Sequence, residues 1–533
     1  MDKLVSKKVL PWTKTDIVKN VVVYALNTIL IVALLILGAY INNYNQMQNG
    51  FVDFIKNWQR ILNFFVLVVF LMAAIFLYFY FESRDFLKSA VNSEMIFLII
   101  EIGLCVCFLS GNYINTYIRP LALVAILVLF LKDSKTAIFI NIIFCILLFI
   151  FDIFVGNTYS ETSTQLIKYE AIYFIIVGVL SGTLAVYILR EVFSRMKLLL
   201  LSMIISVPVM VGIALPILEF GGQNILVALL SGFASGPLAA SLFIIFLPIF
   251  ESIFIKTSSF KLNELTSHHS VVIRSLISQA PGTFNHSIVV SNIAEACATA
   301  IGEDALLART CAYYHDIGKL RRPEFFKENQ SDGLNPHDDL TPELSSNIIK
   351  SHTEDGYKLA LKNRIPLEIA NVIREHHGTM PILYFYDKAK KYTDGEVSIN
   401  QYCYSGPKPQ SKIAAIIMIA DGCEAATRTL ADRSKESVES AVKKIVQNRM
   451  DLGQFDDCEI TLKELNIIIS AVVNSLTGIY HNRIEYPKVS IKSLVTKEEA
   501  IEEESTAKPK TTRKPTSTKK TSTTKEKANK ESK

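Results

Sequence analysis

Residues 287–302 read SIVVSNIAEACATAIG and residues 412–431 read KIAAIIMIADGCEAATRTLA. In both, apolar side chains return every three or four positions, the spacing that lines one face of an α-helix. The same period runs through ELSSNIIKSHTEDGYKLALK (343–362), LEIANVIREHH (367–377), ESVESAVKKIVQNRM (436–450) and LKELNIIISAVVNSLTGIYHNRI (462–484). Breaks fall at Gly, Pro and Asn clusters, and few runs alternate as strands do. Residues 256–490 are therefore expected to form an all-α domain with its own core.

Upstream of residue 256 the chain changes character. Half of the 533 residues are hydrophobic, one fifth are charged, and the mean hydropathy is +0.31, too apolar for a soluble protein of this length. Apolar runs near 20–41, 61–82, 95–112, 117–132, 137–154, 170–190, 197–218 and 225–250 predict about eight membrane helices, some a little under the ~20 residues that span a bilayer core. The third and fourth are separated only by Gly111-Asn112-Tyr113. The first run is too long for a signal-peptide core and reads as a retained anchor. About twelve Lys/Arg flank one set of loops, including the arm 1–19, against about four (Lys56, Arg60, Arg119, Lys168) on the other. With eight spans, this asymmetry places both termini and everything after residue 255 in the cytoplasm. Glu101, Asp152 and Glu251 lie in or near apolar runs and are candidates for function or interfacial placement. Neither a voltage-sensor charge ladder nor a paired broken-helix transporter signature is present.

The net charge of +5 comes from the end of the chain. From Lys508 onward there are ten Lys/Arg against two Glu, so the rest is near −3 and a nucleic-acid-binding protein is not implied. The segment 497–533, acidic and then Lys/Thr-rich, lacks the apolar residues to fold. It could rest on anionic lipid, bind RNA or merely solvate the chain end. The eight Cys form no CxxC pair and fit reduced, buried thiols. A Walker-type phosphate loop is absent.

Nine histidines carry the chemical signal. His286 lies in PGTFNHS, His315-Asp316 in YYHDIGK, His352 in SHTEDG, His376-His377 in REHHG, and Asp421 in MIADGCEA. Only a helical bundle folding back on itself can gather five imidazoles and two carboxylates from such separations. Imidazole and carboxylate without thiolate suit Fe, Mn, Zn or similar ions. Seven ligands exceed one site with an open position, so two metals bridged by an Asp is the natural count. His268, His269, His337 and His481 read as surface or satisfied core residues. Lys319, one turn past His315-Asp316, is a candidate to meet a phosphate, with a solvated helix Lys as the alternative. Lys408 and Arg428 are weaker candidates for a second phosphate. Tyr384, within Tyr384-Phe385-Tyr386, could stack on a base or pack in the core.

The pattern His…His-Asp…Asp resembles the HD superfamily of metal-dependent phosphohydrolases. FLPIFESIFIKTSSFKLNEL, APGTFNHSIVVSNIAEACATAIG, AYYHDIGKLRRPEFFKENQ, REHHGTMPILYFYDKA and GPKPQSKIAAIIMIADGCEAATRTL resemble, more narrowly, the bacterial seven-transmembrane HD hydrolases of the PgpH family of cyclic di-AMP phosphodiesterases. The resemblance implies hydrolysis of 3′,5′-cyclic di-AMP to pApA at a di-iron or di-manganese centre in a cytoplasmic HD domain. It also implies one metal on His286, His315, Asp316 and Asp421, and a second on His352, His376 and His377, with Asp316 bridging and catalytically essential. GTMPILYFY stands where cyclic di-GMP-cleaving relatives carry GYP, which weighs against that substrate. The interval 42–60 is too short for the extracellular domain such proteins usually carry, so regulation is expected through the bundle, a partner subunit or the cytoplasmic side. A homodimer stands as an option. The competing readings are a different cyclic dinucleotide or nucleotide as substrate, or a non-catalytic receptor.

Overall fold

The computed structural model describes residues 14–44, 58–156, 161–212, 224–330, 335–392 and 396–479. Residues 1–13, most of the interval 42–60, His481 and the segment 497–533 lie outside the described residues. The described residues form helices and short 3-10 turns with no β-strand; one isolated backbone bridge joins Pro381 and Cys403. The all-α expectation holds.

In chain order the first part contains α1 (Lys14–Tyr44), α2 (Trp58–Glu82), α3 (Ala90–Tyr113), α4 (Leu123–Leu131), α5 (Ser134–Gly156), α6 (Glu161–Leu189), α7 (Arg195–Ile205, with further helix to Gly212) and α8 (Ile225–Phe254). Seven of these helices are long and apolar enough to cross a membrane. The exception is the fourth expected span. It becomes a 3-10 turn at Thr116–Ile118, then Arg119-Pro120, then nine helical residues in α4. Nine residues rise only about 14 Å, well short of a bilayer core. Proline lacks an N–H and disfavours helix in the residue before it, so Pro120 divides what hydropathy alone joins. α4 is instead enclosed by α5, α6 and α8, with Leu121 to Val128 essentially inaccessible.

Small residues let the helices approach, as is usual where lipid competes equally for apolar surface. A β-carbon on Gly103 would collide with Val124, and one on Gly236 with the backbone of Ser202. Pro237 in α8 deprives the Phe233 carbonyl of its helical donor, and the Ser206 hydroxyl of the neighbouring helix donates to that carbonyl at 2.7 Å. Asp152 is ion-paired with Arg119 at 2.6 Å, both nearly buried. Glu101 is buried, and its Oε1 has no hydrogen-bond partner among the described residues. Glu251 accepts from the Ser258 hydroxyl just past the end of α8.

The second part contains α9 (Ser259–Leu265), α10 (Val271–Gln279), α11 (Pro281–Ile301), α12 (Ala305–Tyr314), α13 (Pro342–Lys362), α14 (Leu367–Glu375), α15 (Leu383–Tyr392), α16 (Lys412–Arg428), α17 (Lys435–Asp451) and α18 (Leu462–Ile479). Local chemistry sets the boundaries. Asp304, Thr341 and Ser411 cap α12, α13 and α16 by accepting from backbone N–H groups of the first turn. Pro281 and Pro342 open their helices, and Gly302, at φ 78°, closes α11 in the left-handed conformation. α16 is the central helix: Ile413 to Ala420 are all buried, as expected of a helix apolar on every side. It packs on α11, α12, α14, α17 and α18, while α13 packs on α14 and on the turn after α12. All eight cysteines are unpaired, and six are buried.

Candidate metal centre

The histidines lie on or just past α11, α12 and α14, which meet at α16, and on α13, which packs on α14. His286 lies in the second turn of α11, and His315 caps the C-terminus of α12 with Asp316 following it. His352 sits mid-way along α13, His376-His377 follow α14, and Asp421 is on α16. Gly318 makes the convergence possible. A β-carbon there would collide with the His352 carbonyl, so only glycine lets the turn Ile317–Arg321 lie against the backbone of α13. His352 is thereby brought beside Asp316.

All seven expected residues come together. Asp316 Oδ2 lies 3.2 Å from His315 Nε2 and 3.7 Å from His286 Nε2. Its Oδ1 lies 3.3 Å from His352 Nε2 and 3.7 Å from His376 Nε2. Asp421 Oδ1 lies 3.1 Å from His286 Nε2, and its Oδ2 lies 3.8 Å from His377 Nδ1. Two groups have ligand atoms close enough to share an ion: His286, His315 and Asp316, and His352, His376 and His377. Asp316 stands between them.

The ring orientations fit cation binding. Nδ1 of His315, His352 and His376 lies 2.6–2.7 Å from the carbonyl oxygen three residues earlier (Ala312, Ile349 and Ile373). A carbonyl only accepts, so each Nδ1 carries the proton and each Nε2 turns a lone pair toward Asp316. His315 Nε2 and Asp316 Oδ1 are buried with no hydrogen-bond partner among the described residues. That arrangement is costly in a structure without an ion and natural around one. Burial holds the His352 and His376 imidazoles neutral, and it lowers His377 to about 3, against the pull of Asp421. Asp316 and Asp421 move the other way. Burial would raise both, but neighbouring imidazoles, with Lys319 at Asp316, hold them well below the usual carboxylate range.

Three further residues take part that the sequence pattern did not single out. Glu424, one turn after Asp421 on α16, places Oε2 2.7 Å from His286 Nδ1. Burial opposes protonation of His286, but Asp421 and Glu424 together raise it to about 10. The i, i+3 spacing from Asp421 is the signal that could have found Glu424. Tyr404 stacks on His377 at 4.4 Å; it comes from the segment between helices, where no periodicity marks it. Glu328 accepts from Lys319 at 2.7 Å.

The remaining candidates are placed differently from expectation. Lys319 is no solvated helix lysine: its ammonium is buried 2.7 Å from both Asp316 and Glu328 and over the Phe326 ring. Arg428 pairs with Glu424 and so reaches the cluster only through the carboxylate holding His286. Lys408 pairs with Asp456 at 3.1 Å, and Tyr384 is exposed on α15 against Phe385. Among the described residues, no hydrogen bond, ion pair or ring contact joins Lys408 or Tyr384 to the seven. His337 is a core residue whose Nε2 lies 3.0 Å from the Phe325 carbonyl, while its buried Nδ1 has no hydrogen-bond partner among the described residues.

Comparison with known families agrees with this arrangement. A family model described as the HD domain matches residues 283–426, and one described as a 7TM receptor with intracellular HD hydrolase matches residues 58–258. The chain belongs to the seven-transmembrane HD-hydrolase family. Similar members include the cyclic-di-AMP phosphodiesterase PgpH of Bacillus subtilis (strain 168), 36% identical over 440 residues, which are 80% of this chain and 60% of that protein. The cyclic-di-AMP phosphodiesterase PgpH of Listeria monocytogenes is 40% identical over 312 residues, 58% of this chain and 43% of that protein. The chain thus spans 60% or less of the length of these relatives. A crystal structure of the Listeria PgpH HD domain in complex with cyclic-di-AMP is 46% identical, covering 40% of this chain and 99% of that one, with a TM-score of 0.39. Membership in this family and the apolar helices make the chain a membrane protein.

Proposed function

We propose that the chain is a membrane-anchored phosphodiesterase that hydrolyses cyclic di-AMP to pApA with two divalent ions, Fe or Mn. The carrying observation is the convergence of five imidazoles and two carboxylates, with Asp316 facing four of those imidazoles. The activity named for the Bacillus and Listeria relatives supports the substrate. One ion would be held by His286, His315, Asp316 and Asp421, the other by His352, His376 and His377, with Asp316 between them. When bound, such a pair supplies Lewis acidity toward phosphoryl oxygens and lowers the pKa of water toward neutrality. The chain's residues do the rest. The Ala312, Ile349 and Ile373 carbonyls lock three imidazole tautomers, and Tyr404 holds the plane of His377. Lys319 and Glu328 fix the orientation of Asp316, and the Lys319 ammonium offsets part of the negative charge that a phosphodiester brings. His286 must shed its second proton to ligate, so its site competes with protons and is favoured as pH rises.

The reading is tested by offering the purified chain, loaded with Mn, a panel of cyclic di-AMP, cyclic di-GMP, cyclic GMP-AMP and cyclic AMP. Turnover of cyclic di-AMP well above the others, abolished by chelation, is expected. Preference for another nucleotide would reassign the substrate, and turnover surviving chelation would contradict a metal centre.

Glu424 gives a finer test. Carboxylates that orient a ligating histidine typically contribute 10–100-fold to metal affinity. Glu424→Ala is expected to weaken metal binding by about that factor, while Glu424→Gln, whose amide oxygen still accepts from His286 Nδ1, recovers most of it. Metal titration followed by calorimetry separates the two variants.

We further propose a cytoplasmic catalytic domain with both termini on that side, from the distribution of basic residues. This requires Thr116–Leu131 to pass its flanks to opposite faces even though α4 is short. Reporter fusions at Asn115 and Asp133 are expected to signal from opposite sides, and the same side for both would invert the assignment. The lipid bilayer is the surrounding partner. Nucleic acid contact is reserved for the basic segment at 497–533, and a homodimer remains compatible with the fold.

A further inference from the structure

A cavity of about 740 Å³ lies where the membrane helices meet the histidine-bearing domain, away from the metal centre. Its apolar wall is the last part of α8 (Phe243, Leu247 and Pro248) with Phe260 of α9. Facing that wall are the end of α13, the turn through Arg364 and Leu367 at the start of α14. Three cations line it without an ion-pair partner among the described residues: Arg195 at the head of α7, Lys256 just past α8, and Arg364. Lys261 is also present, but it and Glu264 approach each other at 3.9 Å, and Glu251 accepts from Ser258.

Three observations identify an occupant. The first is depth. α8 has 30 residues, about 45 Å of helix against a hydrocarbon core of about 30 Å, so its last turns stand at headgroup level. The head of α7 and the end of α8 thus mark one membrane surface. The second is amphipathic lining: an apolar wall continuous with a membrane helix below and unpaired cations above match an acyl chain and a phosphate. Ile255, Leu361 and Leu367 on the same lining are exposed by 45–71%, costly to leave to water and natural against lipid. The third is backbone conformation. Ile255 (φ 52°) and Arg364 (φ 54°) are the only non-glycine residues at positive φ among the described residues, and both line this cavity. For a β-branched residue such as Ile255 this is a genuine outlier, and outliers of this kind cluster at ligand sites and switches.

We infer that this junctional cavity binds one anionic phospholipid, its headgroup phosphate held by Arg195, Lys256 and Arg364 and its acyl chain along the end of α8. The two helices that border the cavity on the domain side, α13 and α14, lead to His352 and to His376-His377. Headgroup occupancy and the second histidine group therefore share two rigid elements.

The test is binding, which stands whether or not the proposed catalysis is right. The delipidated full chain is titrated with phosphatidylglycerol, phosphatidylcholine or inorganic phosphate and followed by native mass spectrometry. One phosphatidylglycerol per chain, at least about tenfold tighter than phosphatidylcholine, is expected. Each cation near an anionic lipid contributes about fivefold in affinity. Lys256→Gln with Arg364→Asn, the latter chosen because asparagine tolerates positive φ, should thus weaken phosphatidylglycerol by about 25-fold. Should the double variant lose its melting transition, Arg195→Gln alone is expected to cost about fivefold. Equal retention of both lipids, wild-type affinity in the variants, or inorganic phosphate competing at equal concentration would each overturn the assignment.

Discussion

Asp316→Ala is expected to lower cyclic di-AMP turnover by about three orders of magnitude or more, with helix content unchanged. The reason is position. Asp316 faces two imidazoles of each histidine group, Oδ2 toward His286 and His315 and Oδ1 toward His352 and His376, whereas Asp421 meets one of each, His286 and His377. Without it each group keeps its imidazoles but loses the carboxylate that faces four of them, and only Asp421 would remain to offset the repulsion between two bound cations. The variant also releases Lys319, although Glu328 still holds that ammonium. Asp316→Asn separates charge from shape. It keeps the packing and cannot bridge two cations, and it should fail nearly as completely. Steady-state hydrolysis, with circular dichroism to exclude unfolding, checks both. Asp316→Asn retaining a tenth or more of wild-type turnover would contradict a bridging role.

Gly318→Ala should be among the most damaging single methyls in the domain, beside Gly282→Ala, which would meet the Glu328 carbonyl. The added carbon meets the backbone carbonyl of His352, not a side-chain end that could swing aside, so the turn after α12 must lift off α13. Overpacking against backbone costs about 3 kcal/mol, and a domain of this size loses roughly 2–4 °C of melting midpoint per kcal/mol. A fall of roughly 6–12 °C is therefore expected, together with loss of metal, because the lift separates Asp316 from His352. Gly478→Ala is the matched control. It lies on an exposed helical position with nothing within 4 Å of the new carbon, and should be neutral or slightly stabilising. Thermal melts of the two variants should therefore diverge.

The parts of this molecule that the sequence made legible are those governed by short-range pattern. Helical period found the domain after residue 256, and Gly, Pro and Asn clusters marked the breaks between its helices. Run length found the long membrane helices but not the break in 117–132, because hydropathy sums side chains and does not register that Pro120 interrupts the backbone. The seven site residues were legible because histidine is scarce, nine in 533 residues, and because Asp316 and Asp421 stand in the pattern that resembles the HD superfamily. Glu424 was hidden by ordinariness: a glutamate on a helix is usually solvated, and only the fold reveals that it meets His286. Tyr404 lies between helices, where no periodic signal exists. Lys408 and Tyr384 were candidates by residue type alone, and tertiary packing gave Lys408 to Asp456 and left Tyr384 on the surface.

Direct counting of bound ions tests the central claim most sharply. The full chain, purified without chelator and loaded with Mn, should contain two ions per chain by elemental analysis. His352→Ala/His376→Ala should retain one, and Asp316→Asn fewer than two. One ion per chain in the wild type, or two in the His352→Ala/His376→Ala variant, would contradict a pair of sites joined at Asp316.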